Sequence, residues 1–354
     1  DTDSWAVFAQ GTFNLREDLR VTLGVRYTDE TKEVESSQFL SDNLTGLGTR
    51  SDNFFLYLTQ ATSFNTYLYD YDEDRDTDEL LPSLNVQWDV TDDMMLYASY
   101  SEGFKSGGFT AADDGEPGDL VPGTWPCAPG QLPEDCYDIT NPNSEFEFDD
   151  ENVTAYEIGG KHTLLDGAMT LNWAAFYTEY DDLQTSIFQG ISFSVTNAAE
   201  AEIKGVEFDM LWQATEGLRL GLNGAWLDAE YTDYRTAPCT AVQLDADSLC
   251  GTGQPGASFN DLSNQNTTFA PDYTASAFFD YSYLLGNGME FFAGGEVNYS
   301  DEFDTQGDLD PLDKVDDYTK VNLRFGLRSS DESWEVMAYG RNIFDEEVPV
   351  YSFD

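Results

Sequence analysis

The stretch VEFDMLWQATEGLRLGLNGAW, residues 206–226, decides the fold. It reads as two strands around a short polar turn, Ala214-Thr215-Glu216-Gly217. In the second strand Leu218, Leu220 and Leu222 alternate with Arg219, Gly221 and Asn223, the period of two of a strand with one apolar face. In the first, Glu207 and Asp209 stand between Val206, Phe208 and Met210. A soluble sandwich would alternate too, with its apolar side turned inward. Here the second face carries full charges, which suits a wet lumen and leaves the apolar face for lipid.

The same plan recurs along the chain. Residues 84–90 pair with 95–104 across Thr91-Asp92-Asp93, and 275–285 pair with 289–299 across Gly286-Asn287-Gly288. Gly, Asn and Asp close such hairpins because they tolerate the positive φ of tight reversals. Between the pairs run long acidic connections. Strands that cross a bilayer are tied tightly on one side and freely on the other, so the predicted fold is all-β: a transmembrane antiparallel up-and-down β-barrel of about twelve strands, with short periplasmic turns and long acidic extracellular loops. Val21, Leu23, Val25 and Tyr27 against Thr22, Gly24, Arg26 and Thr28 repeat the alternation, as do Val321, Leu323, Phe325 and Leu327 against Asn322, Arg324, Gly326 and Arg328. Each segment runs about 9 to 12 residues, the length a tilted membrane strand needs. Segments 171–180 and 334–344 are less clean, with aromatic residues on both faces.

Composition agrees. Aromatic residues make up 14% of the chain, and Trp5, Trp88, Trp173, Trp212, Trp226 and Trp334 fall near strand ends, where amphipathic rings form girdles at the headgroup level. A mean hydropathy of -0.45 with 40% hydrophobic residues excludes a helical membrane protein. The net charge of -52, from 68 acidic and 16 basic residues, excludes nucleic acid as a partner. The acid gathers in stretches 70–76, 145–151 and 308–317. Solvation is the plain reading of such runs. Asp70, Asp72, Asp74 and Asp76 are candidate calcium ligands, but Arg75 stands where a calcium loop has Gly and Leu81 where it has Glu.

Cys127 with Cys136 and Cys239 with Cys250 form two close pairs in different connections, which points to two disulfides made in an oxidising compartment. Four thiolates around zinc is the competing arrangement, at spacings wider than metal knuckles use. His162 is the only histidine, no nucleophile motif accompanies it, and glycine-rich phosphate loops are absent. No enzyme activity and no obligatory cofactor are expected.

The stretch Leu96-Tyr97-Ala98-Ser99-Tyr100-Ser101-Glu102-Gly103-Phe104-Lys105-Ser106-Gly107-Gly108-Phe109 resembles the strand-to-loop motif of TonB-dependent outer-membrane receptors, particularly those for iron complexes. Tyr156-Glu157-Ile158-Gly159 with Lys161, Phe176-Tyr177 with Tyr180, Asn197-Ala198 through Gly205-Val206-Glu207, and Gly340-Arg341-Asn342-Ile343-Phe344-Asp345-Glu346 extend the resemblance in the expected order. It implies a barrel of twenty-two strands, of which residues 1–354 are the C-terminal portion; the plug, the first strands and the closing strand are expected outside this sequence.

The function implied is energised import of a scarce nutrient, a ferric siderophore first, across the outer membrane of a Gram-negative bacterium. Partners would be the TonB energy-coupling complex, reached through a part not in this sequence, and the lipid bilayer with its lipopolysaccharide. Candidate ligand contacts are Phe104, Lys105, Phe109, Trp125, Tyr137 and Tyr234, with loop packing as the plainer role of each. Anionic chelates meet an acidic surface at electrostatic cost unless local Arg and Lys dominate, so cobalamin, oligosaccharides and cationic complexes stay open. So do a passive porin-like channel and a surface-anchored adhesive barrel whose acidic loops bind ions.

Overall fold

The computed structural model describes residues 1–38, 69–110, 147–189, 192–247, 250–251 and 258–349. Trp125, Tyr137, Cys127 and Cys136 lie outside the described residues.

The described strands are β1 (Thr2–Arg16), β2 (Leu19–Gln38), β3 (Tyr69–Thr91), β4 (Met94–Lys105), β5 (Gly108–Phe109), β6 (Glu147–Phe148), β7 (Glu151–Leu164), β8 (Met169–Gln189), β9 (Ser192–Thr215), β10 (Leu218–Asp233), β11 (Tyr273–Leu284), β12 (Met289–Ser300), β13 (Phe303–Asp304), β14 (Lys314–Val315), β15 (Tyr318–Ser329) and β16 (Glu335–Gly340). One 12-stranded antiparallel sheet runs β1-β2-β3-β4-β7-β8-β9-β10-β11-β12-β15-β16, each strand paired with the next in the chain. This is the predicted meander. The pairs β5/β6 and β13/β14 are small ladders set in the β4–β7 and β12–β15 connections.

The short connections are residues 17–18, 92–93, 165–168, 216–217, 285–288 and 330–334, all at one end of the sheet. Their reversals need left-handed backbone: Leu165 and Asp166 each have φ 53 and Gly167 φ 89, and Gly288 has φ 80.

Register carries the apolar face from strand to strand. Leu23 faces Leu84, Leu84 faces Tyr100, Tyr100 faces Tyr156, and Tyr156 faces Tyr177. The rings touch along that row, with centroids 5.2 Å apart for Tyr100 and Tyr156 and 6.4 Å for Tyr156 and Tyr177. Toward the short turns a second set of rings includes Trp88, Trp173 and Tyr281 on the same face. On the same face Leu23, Ile158 and Phe325 are 50%, 54% and 58% exposed. Apolar side chains so open in the middle of a sheet mark the face that meets lipid, and the opposite face lines the lumen.

The lumen face concentrates the chain's scarce bases. Arg20, Arg26, Lys32, Arg75, Lys105, Lys161, Arg219, Lys320, Arg324 and Arg328 all stand at inward register positions, whereas Lys204 is outward. Some are paired there: Arg20 with Asp89 at 2.7 Å, Arg219 with Asp280 at 2.7 Å, and Arg324 with the same Asp280. Gly294 makes room for that triad, since a Cβ would lie 2.7 Å from Arg324 Nε and 3.0 Å from Asp280 Oδ1.

Two expectations are corrected. Strands β2, β3, β8 and β9 have 20, 23, 21 and 24 residues, far beyond a membrane crossing. Residues 190–191 alone join β8 to β9, so a connection expected as a long loop is a tall hairpin. Continuing the ladder keeps backbone groups paired as the strands leave the lipid. The acidic stretch 70–76 is therefore part of β3, facing residues 31–37 of β2, and not a loop. Alternate residues on a strand are about 6.8 Å apart along one face, so Asp72, Asp74 and Asp76 are strung out and not gathered around one ion, while the side chain of Asp70 lies outside the described residues. Asp76 instead accepts from the Thr31 hydroxyl at 2.7 Å.

Candidate functional site

At the long-connection end, the chain leaving β4 crosses the lumen face as Ser106-Gly107-Gly108-Phe109-Thr110 and returns through β6, Asp149 and Asp150 into β7. The β5/β6 ladder, Gly108 facing Phe148 and Phe109 facing Glu147, is thus the root of segment 111–146. We call this root the strap.

Bases on β2 and β3 hold it from one side. Lys32 Nζ donates to Ser106 Oγ at 2.7 Å and to the Gly107 carbonyl at 2.5 Å. The Arg75 guanidinium reaches Glu147 at 2.5 Å, Asp149 at 3.1 Å and Asp150 at 3.3 Å. Asp150 also accepts from the Gly107 N–H at 2.5 Å and the Thr77 hydroxyl at 3.1 Å. Only glycine fits at 107, because a Cβ would lie 2.3 Å from the Phe148 carbonyl oxygen and 2.8 Å from Arg75 Nε. That is a physical reason for the glycine in the Lys-Ser-Gly-Gly-Phe motif.

Amides on the tall hairpin hold the other side. Gln184 Nε2 donates to the carbonyls of Ser106 at 3.2 Å and Asp149 at 3.0 Å, and its backbone N–H donates to Glu151 at 2.9 Å. Asn197 grips Asp149 as a neighbouring strand would: its Oδ1 accepts the Asp149 N–H at 2.6 Å and its Nδ2 donates to the Asp149 carbonyl at 2.8 Å. The same Nδ2 donates to the Asp182 carbonyl at 2.7 Å, across the bulge where Asp182 has φ 55. Asn197→Asp should therefore be far worse than its size suggests, because a carboxylate would face two carbonyl oxygens with nothing to donate. We expect the strap to loosen by about 2 kcal/mol, read as faster protease cleavage within 106–150 while the barrel stays folded.

Beside the strap, the connections after β10 and β12 fold into a cap with its own small core of Ala199, Ala201, Tyr231, Tyr234, Ala237 and Leu262. Cys239 and Cys250 are bonded, S–S 2.02 Å, around the helix α1 (Ala241–Ala246), which a reciprocal capping box from Thr240 and Gln243 starts. Asn260 stitches the two connections together, donating to the Pro238 and Asp308 carbonyls at 2.8 Å each.

Asp304, in β13, is half-sunk in this cap, and burial pushes its carboxyl up from the usual range, with Lys314 opposing and Glu302 adding. The folded state then keeps its proton to higher pH than the unfolded chain. This contribution to cap stability is present at low pH and is lost as pH rises through the raised value. Asp304→Asn should remove that dependence and stabilise the cap at neutral pH, measured as the difference from wild type in cap proteolysis between acidic and neutral buffers.

Of the six residues chosen from sequence, the four that are described are separated by the structure. Lys105 is on the lumen face and exposed, and its carbonyl accepts from Gln184 at 3.3 Å. Phe109 is half-buried in the strap. Phe104 faces Asn152 on the outer side, turned from the lumen. Tyr234 is 2% exposed, its ring tilted against that of Tyr231 with centroids 5.0 Å apart, and burial pushes its phenol up to about 12. It packs the cap and offers no open surface. Arg75, Gln184, Asn197 and Asp150, which carry the strap, were not among the contact residues expected from sequence; the arginine that spoils the calcium pattern is the strap's anchor. Among the described residues no group of three or more His, Cys, Asp or Glu side chains is placed to hold a metal ion.

A lumen-side cavity of about 570 Å³ lies lower on the wall, lined by Phe278, Asp280, Arg324, Met337, Tyr339 and Arg341 among others. Arg341 stacks on the Tyr339 ring at 5.7 Å.

Residues 1–343 match the family model described as TonB dependent receptor-like, beta-barrel. Among curated proteins, the pesticin receptor of Yersinia pestis is 25% identical over 160 residues, 44% of this chain and 19% of that protein. Among solved structures, the ferric yersiniabactin uptake receptor of Yersinia pestis superposes with a TM-score of 0.66 at 18% identity, covering 100% of this chain and 42% of that one. The siderophore receptor PiuA of Acinetobacter baumannii gives 0.61 at 16% identity, covering 98% and 40%. The match thus spans about a fifth of the curated relative, and the chain spans less than half of each solved structure.

Proposed function

The chain belongs to the TonB-dependent receptor-like β-barrel family, and on that premise we propose that it forms part of the wall of an outer-membrane importer for an anionic metal chelate of the ferric siderophore class. Its long connections would face the exterior and its short turns the periplasm. Segment 111–146, rooted in the strap, would supply first contacts, including Trp125 and Tyr137. Import would draw on the TonB complex through parts of the receptor other than these residues.

One observation carries the choice of an anionic cargo: a chain of net charge -52 places most of its few bases on the lumen face. Arg26 and Lys161 are inward, and no ion pair to either is present among the described residues. The acidic exterior repels anions at long range, but screening at about 8 to 10 Å in ordinary salt confines that penalty to close approach. The bases of the lumen face stand among acids of the same face, Glu207 and Asp209 included, so Arg26 and Lys161 would supply the local attraction. The name of the ferric yersiniabactin uptake receptor supports an iron complex as cargo.

The test is a panel of ferric chelates of differing charge, titrated against the purified receptor by tryptophan fluorescence. Anionic chelates should bind, and Arg26→Gln with Lys161→Gln should weaken them about tenfold, a loss of 1.4 kcal/mol. Preference for a neutral or cationic ligand, untouched by those changes, would sink the anionic reading.

A further inference from the structure

Of the three acidic stretches in the sequence, 308–317 folds around its carboxylates. Its centre is a 3-10 turn, Pro311–Asp313, capped by Asp310, whose Oδ1 accepts the Leu312 N–H at 2.9 Å. The ends are closed on each other: the N–H and hydroxyl of Thr305 both donate to the Asp313 carbonyl, at 3.3 and 2.8 Å. Inside that loop Asp310 is 0% exposed and Asp313 2%. Asp310 Oδ2 is buried with no hydrogen-bond donor in reach. Lys314, next in the chain, is turned away to Glu302 at 2.7 Å.

A buried carboxylate oxygen with nothing positive against it is strongly disfavoured. Asparagine would cap this turn equally well without that cost. The aspartate needs a counter-charge that the neighbouring side chains do not supply.

We propose that Asp310, with Asp313 beside it, holds one divalent cation of the calcium type. The donors on hand are oxygens, which select a hard ion. The only histidine is in β7, and Cys239 and Cys250 are bonded to each other, so neither offers a softer ligand. Two carboxylates are the acidic share of the site, and carbonyls and water complete the shell. The ion would lock the β12–β15 connection, and through the bonds from Asn260 to Asp308 and Pro238 the disulfide-bearing half of the cap as well. The exposed aspartates strung along β3 bind such ions only loosely by comparison.

The test uses the whole receptor in detergent, in about 0.15 M salt with excess magnesium, titrated with calcium chloride by calorimetry. Trypsin cleavage at the exposed Arg235, where the cap begins, is followed in calcium and in chelator. Wild type should show one saturable calcium event and at least tenfold slower cleavage in calcium, both lost in Asp310→Asn and both kept in Asp72→Asn. If the wild-type cap cleaves equally in calcium and chelator, or the saturable event persists in Asp310→Asn, the proposal is wrong. The wild-type comparison decides the matter even where the variant fails to fold, and neither readout depends on which chelate the receptor imports.

Discussion

Leu222→Arg is expected to stop the barrel from assembling, while Asn223→Arg, one residue on, leaves it folded. The two side chains leave β10 on opposite faces. Leu222 faces Met210 and Ala277 on the outer side and is 38% exposed, in the band between the aromatic belts. An arginine there must keep its charge in hydrocarbon, at about 2 to 4 kcal/mol near the bilayer midplane, a large fraction of a marginal stability. Asn223 faces the lumen, opposite Asp209 and Ser276, and its Oδ1 accepts the Ser276 hydroxyl at 2.8 Å. Arginine in its place gives up that one bond, about 1 kcal/mol, and gains water and Asp209. Heat-modifiable migration of receptor extracted from outer membranes measures both. Equal tolerance of the two substitutions would mean that the apolar face does not meet lipid.

Arg75→Ala should release the strap without unfolding the wall. Its side chain is 13% exposed, and removing it leaves Glu147, Asp149 and Asp150 facing one another. The ion pairs to Glu147 and Asp149 are discounted, because those carboxylates are 48% and 76% exposed and water screens them. The pair with Asp150, itself 18% exposed, keeps most of its value. Together we expect a loss of about 2 to 3 kcal/mol. Cleavage within 106–150 should rise about 30-fold or more, since cleavage of an opened segment follows its opening equilibrium. Lysine should rescue poorly, because one guanidinium spans Glu147 and Asp149 through Nη1 and Asp150 through Nη2, and an ammonium has no such fork. A wild-type cleavage rate in Arg75→Ala would leave the strap without its anchor in this account.

The sheet was legible because each crossing obeys a local rule. Val206 to Trp226 shows period two, a polar turn and charges on one face, and the register of β9 with β10 follows from those features. The tall hairpin was not legible: Thr185, Ser186, Ser194 and Thr196 are equally at home in a loop, and only cross-strand pairing makes them strand. The Cys239–Cys250 bond was readable from spacing and parity. The strap was half readable. The Gly-Gly step stood out as a motif, but its partners Arg75, Gln184 and Asn197 come from strands remote in sequence, 72 residues away for Arg75 and Glu147. Tyr234 looked like a ligand contact because aromatic residues in loops often are; its place in a core depends on Leu262 and Ala199, which no local pattern links to it.

The most direct test of the importer reading is uptake of a radiolabelled ferric chelate by cells that carry the receptor from its own gene, with and without a protonophore and in a background lacking the TonB complex. Accumulation against a gradient should stop in both cases, while binding to the cell surface persists. Uptake that continues unchanged without energy, in proportion to external concentration, would contradict the importer reading and leave a passive channel.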